Sequence, residues 1–75
     1  MFSKEIFSER LKCLRSQNGI KQSDLAGIIG VKNTAISMME SAQRGPSAKV
    51  MCALADLFDV SIDYLVGRSD DPREK

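Results

Sequence analysis

The chain has 75 residues, of which 43% are hydrophobic and 28% charged, and eleven Lys plus Arg against ten Asp plus Glu leave a formal charge of only +1. A chain of this length folds as one small domain that buries about 60% of its unfolded surface, which leaves room for a single core but not for a deep enzyme cleft. It is an ordinary globular composition rather than a disordered or collagen-like one, and it is less basic than that of a dedicated non-specific nucleic-acid binder.

The pattern predicts a first helix over Lys4 to Gln17. Ser3 is placed to cap it, Phe7, Leu11 and Leu14 form its buried stripe, and Ile6 and Cys13 widen that stripe. Asn18-Gly19 ends it in the left-handed conformation. Leu25, Ile28 and Ile29 recur at helical spacing in a second helix over Gln22 to Ile29. Gly30 then stands where the chain turns through a positive φ that glycine tolerates without strain. A third helix runs from Asn33 to Ser41, its apolar side supplied by Ile36, Met39 and the flanking Val31. Neither of these two short helices is stable alone, so each leans on the others. Ala26 lies on the inner side of the second helix, where a larger side chain would hold the third away.

The polar stretch Ala42-Gln43-Arg44-Gly45 breaks the pattern before Pro46. A fourth helix then begins behind Ser47, with Met51, Leu54, Ala55 and Phe58 at core-facing spacing. A fifth, from Ile62 to Val66, is capped by Ser61 and stopped by Gly67. The domain is expected to span residues 1–67, and residues 68–75, which have no apolar side chain and contain Asp-Asp-Pro, to form a disordered polar tail. Two local conflicts stand out: Lys21 and Lys32 occupy capping positions although lysine cannot accept an amide hydrogen bond, and Gly27 sits inside a helix at a cost of about 1 kcal/mol relative to alanine.

The succession Gln22, Leu25-Ala26, Gly30-Val31, Ile36, Glu40 resembles the helix-turn-helix of the phage repressor, Cro-like and Xre regulators. Arg10-Leu11, Leu14-Arg15, Gly19-Ile20, Pro46-Ser47, Leu54-Ala55, Phe58, Val60-Ser61 and Leu65 fall where that family has its other helices, so the likeness covers roughly residues 5–67. It implies an all-α, five-helix lambda-repressor-like bundle whose third helix enters the DNA major groove.

By matching position, the resemblance makes Lys32, Asn33, Thr34, Ser37 and Met38 the candidate base readers, each beside a blander role. Asn33 suits a bidentate pair with adenine N6 and N7, or the capping of the third helix. Lys32 suits guanine or a phosphate, Thr34 a thymine methyl or plain solvent, and Ser37 a base edge or a phosphate. Met38 departs from the polar residue often found there and suits a thymine methyl, a partner-protein surface or packing against the loop. Gln22, Gln43 and Arg44 are the candidate phosphate contacts, since a helix N-terminus presents free amides to an anion. Arg15 and Glu40 match the family's structural ion pair.

The implied function is a sequence-specific, double-stranded-DNA-binding transcriptional regulator, a repressor for most of this family, acting as a homodimer because one such domain makes too few contacts alone. Ile62, Tyr64 and Val66 are the candidate dimer residues, on the ground that a five-residue helix cannot bury so much apolar surface internally. The competing reading is an antitoxin-like or anti-repressor protein-interaction module on the same fold. No enzyme, cofactor, metal or small-molecule ligand is implied: there is no histidine, so Cys-His and Ser-His catalysis are excluded and zinc lacks ligands. Cys13 and Cys52, without metal or redox spacing, read as small buried or half-buried hydrophobes. No stretch approaches the roughly 18 apolar residues of a membrane span, and Met1 to Glu9 has no signal-peptide pattern, so a cytoplasmic protein is expected.

Overall fold

Five amphipathic segments each bury one stripe, and the computed structural model, which describes residues 3–73, shows how the stripes meet. The helices are α1 (Lys4–Gln17), α2 (Gln22–Ile29), α3 (Asn33–Glu40), α4 (Ala48–Phe58) and α5 (Ile62–Leu65), and no strand occurs among the described residues. α3 packs against α1 and α2, α5 against α1 and α4, and α2 touches α4. The shared core is built from Phe7 and Leu11 of α1, Leu25 and Ala26 of α2, Ala35, Ile36 and Met39 of α3, Leu54 and Ala55 of α4, and Val60 and Leu65 at the end of the bundle. No helix among the described residues is long and apolar enough to cross a membrane.

The helix starts follow from local chemistry. Ser3, Ser47 and Ser61 each accept a hydrogen bond from the amide three residues on, those of Ile6, Val50 and Tyr64, at 3.0–3.2 Å, which satisfies an amide with no partner inside the helix. Lys21 and Lys32 take the corresponding positions of α2 and α3 and make no side-chain cap bond. Between them Gly30 closes α2 at φ +76°, with its own amide and that of Val31 both donating to the Ala26 carbonyl at 2.9 Å.

Four expectations are corrected. Ile28 is 58% exposed, because the narrow buried face of the eight-residue α2 is taken by Leu25 and Ala26. Cys13 and Cys52 are both exposed, lying outside the buried stripes of α1 and α4. α3 and α5 each end one residue earlier than expected, at Glu40 and Leu65.

The fourth concerns the segment expected to be a disordered tail, which folds back on the bundle as far as Pro72. The Arg10 guanidinium of α1 donates to the carbonyls of Tyr64 and Ser69 and to the Asp70 carboxylate, the last at 2.9 Å, and lies 4.1 Å from the centroid of the Tyr64 ring. The Ser61 amide donates to the Pro72 carbonyl at 2.8 Å. Backbone carbonyls do the holding, since the Asp70 side chain is fully exposed and a pair of that kind contributes little. The part of the expectation that falls on Glu74 and Lys75 lies outside the described residues.

Candidate nucleic-acid interface

α3 presents two chemically different sides. Ala35, Ile36, Met39 and Glu40 are buried, whereas Asn33, Thr34, Ser37 and Met38 are exposed, with Lys32 exposed just ahead of them. The five side chains picked out as base readers therefore share the outward surface at one short rod, left exposed by the described residues. Asn33 is already the first helical residue, so capping is not its position.

The back of that rod is tied down by Glu40. Arg15 of α1 donates to it through both forks, Nε to Oε2 at 2.5 Å and Nη2 to Oε1 at 2.9 Å, and its Nη1 donates to the Ile20 carbonyl at 2.9 Å. The Glu40 side chain is 4% exposed and that of Arg15 20%, so the pair is largely withdrawn from water and each charge depends on the other. The hydrogen bond to Glu40, reinforced by its charge and opposed by burial, raises the Arg15 pKa above its ordinary value.

Glu40 has a second partner that the sequence pattern did not indicate. Gln22, the first residue of α2, donates its Nε2 to Glu40 Oε1 at 3.0 Å. One carboxylate thus joins α1, α2 and α3, and Gln22 is held half-buried with its amide nitrogen turned inward. A primary amide nitrogen carries two N–H groups, so one remains for an external acceptor. The spacing of Gln22 and Glu40 carries no helical periodicity, and only the packing of α2 on α3 brings them together.

The exit from α3 is equally defined. The Ala42 amide donates to the Met39 carbonyl at 3.3 Å and the Gln43 amide to the Met38 carbonyl at 2.9 Å, the paired bonds of a Schellman ending. Ala42 takes the left-handed position at φ 62°, which for a residue with a Cβ costs about 1 kcal/mol. This ending sets the direction of the following loop, in which Gln43 and Arg44 are both exposed.

The candidate dimer residues divide. Ile62 is 39% exposed and available to a partner, Tyr64 is half-buried beneath Arg10, and Val66 is 7% exposed and packed inside its own bundle. Val66 is removed from that set: α5 buries more of its apolar surface than its length suggests because α1 closes over it.

The Helix-turn-helix family profile matches residues 11–65 of this chain. Among curated proteins, the uncharacterized HTH-type transcriptional regulator YobD of Bacillus subtilis is 33% identical over 70 residues, which is 93% of this chain and 62% of that protein. The repressor protein C2 of Salmonella phage P22 is 32% identical over 62 residues, or 83% of this chain and 29% of that protein. Among solved structures, the P22 c2 repressor in complex with synthetic operator 9T superposes with a TM-score of 0.80 at 31% identity, covering 85% of this chain and 97% of that one. The chain thus spans less than two thirds of the length of these two curated relatives.

Proposed function

This chain belongs to the Helix-turn-helix family, and from that premise we propose that it is a DNA-binding transcriptional regulator of the repressor kind, placing α3 in the major groove of a two-fold-related operator. The observation that carries the reading is the outward face of α3, where Lys32, Asn33, Thr34, Ser37 and Met38 stand together on a rod anchored from behind by Glu40. A major groove about 12 Å wide admits such a helix, and side chains at its leading end reach the base edges. Lys32, Asn33 and Ser37 supply hydrogen bonds, and Thr34 and Met38 supply apolar contact.

Phosphate binding sets affinity and register. Gln22 offers its second N–H beside the free amides at the start of α2, and Gln43 and Arg44 do the same from the loop after α3. Arg15 and Glu40 fix the orientation of α3 without touching DNA. Two copies, with recognition helices about 34 Å apart, reach the affinity that one domain lacks; Ile62 and the exposed Leu57 at the α4 and α5 end are the apolar contacts proposed for the pair. The partners are double-stranded DNA and a second copy, and the site of action is the cytoplasm. The relatives' names and the operator-bound P22 c2 structure support this reading.

Selection of bound duplexes from a random pool, followed by titration at several salt concentrations, tests it. A recovered motif with two-fold symmetry and a steep loss of affinity with salt is expected. Gln22→Ala and Arg44→Ala weaken binding to all sequences, whereas Thr34→Ala changes which sequence is preferred. The reverse pattern overturns the assignment of roles. Retention of no duplex, together with salt-insensitive binding to a protein, supports the interaction-module reading instead.

A further inference from the structure

We propose that Met38 reads a base-edge methyl group rather than a base, so that binding responds to methylation at cytosine C5 as it responds to thymine. This deepens, and rests on, the reading of α3 as the groove-entering helix. Two methionines stand side by side on α3 and the fold treats them oppositely: Met39 is 1% exposed in the core, while Met38 is 39% exposed. Met38 is the one large exposed hydrophobic on α3, since the others among the described residues, Ile28, Leu57 and Ile62, belong to other helices. It stands one turn beyond Thr34 and next to Ser37, on a face that is otherwise polar or small.

Its backbone is held by hydrogen bonds while its side chain stands exposed. The Met38 carbonyl accepts the Gln43 amide at 2.9 Å and the Ser41 hydroxyl at 3.2 Å, which pins the backbone. The unbranched thioether beyond it adapts to a small apolar surface. In the major groove the one methyl surface of unmodified DNA is at thymine C5; the other edge positions are hydrogen-bonding groups or smaller C–H groups. A methyl on cytosine C5 occupies the same ring position. A thioether is so weak an acceptor that it discriminates little between thymine O4 and the cytosine N4 amine beside that methyl, favouring the amine slightly. Base identity is left to Asn33, Lys32 and Ser37, and Met38 registers whether a methyl is present.

The test uses the full chain and the duplex recovered by selection, altered only at pyrimidine C5 by thymine-to-uracil and cytosine-to-5-methylcytosine replacement, position by position. Burying or losing one methyl group changes affinity about fourfold. At the position facing Met38, uracil is expected to weaken binding by about that factor relative to thymine, and 5-methylcytosine to strengthen it relative to cytosine. In Met38→Ala both ratios fall to one and in Met38→Leu both persist, with melting temperatures measured alongside to confirm that the variants are folded. Sequence-specific binding that ignores the methyl at every position, or methyl effects that all survive in Met38→Ala, overturns this inference and leaves the DNA-binding reading standing; an effect that persists only at another position belongs to Thr34. Absence of any sequence-specific duplex overturns both.

Discussion

α1, α4 and α5 begin behind a serine whose hydroxyl takes up a free amide, whereas α2 and α3 begin behind Lys21 and Lys32, which take up none. The lysines do more than omit a cap. Each puts a cation near the positive end of its helix, where the backbone dipole favours an anion. For folding alone this is the wrong residue twice over, at a cost of about 1 kcal/mol per helix. For a surface that meets phosphate the same arrangement is favourable, because open amides and a nearby cation both attract the anion. The contrast divides the bundle into helices built for stability and a pair whose local stability is lowered where the proposed interface lies.

Four substitutions break or sharpen this division. The largest effect is expected where the two groups of helices are joined. Glu40→Ala strands the Arg15 guanidinium and releases Gln22, and should lower unfolding free energy by about 3 kcal/mol in a urea titration; a loss under about 1 kcal/mol would mean that α2 and α3 are seated by apolar packing alone. Next, Lys21→Ser and Lys32→Ser should each raise stability by about 1 kcal/mol and flatten the log-log salt dependence of DNA binding by about one unit for each phosphate no longer neutralised. Unchanged stability in both variants would erase the contrast between the two kinds of helix start. The smallest effect is expected at Gly27, where an added Cβ meets nothing within 4 Å. Gly27→Ala should raise stability by about 0.5–1 kcal/mol by thermal melting, as befits a helix that forgoes stability open to it.

Much of this architecture is legible in the sequence because it is local. Periodicity and serine caps place the starts of all five helices and the ends of α1 and α2, and Gly30 marks the turn between α2 and α3. The misjudged features depend on distant partners. A stripe of apolar residues identifies a helix but not how wide its buried face is, so Ile28 reads as core although α2 has room for fewer side chains. Arg10 shows nothing locally of what it holds, because its acceptors at Tyr64, Ser69 and Asp70 lie more than fifty residues away. The Gln22 to Glu40 bond is hidden for the same reason, and it alters the site: the candidate phosphate-binding side chain is already oriented by the carboxylate that anchors α3.

The meeting of α1 with the exit from α5 has a consequence for how the molecule opens. The Ser3 amide donates to the Val66 carbonyl at 3.3 Å, and Gly67, at φ +87°, lies so close to Ile6 that a Cβ there would approach its side chain to 3.0 Å. The first turn of the bundle and its last are therefore clasped to each other, and neither can fray without exposing what the other covers. Terminal unravelling, the cheapest motion in most small helical proteins, becomes here a joint event of the first turn and the last.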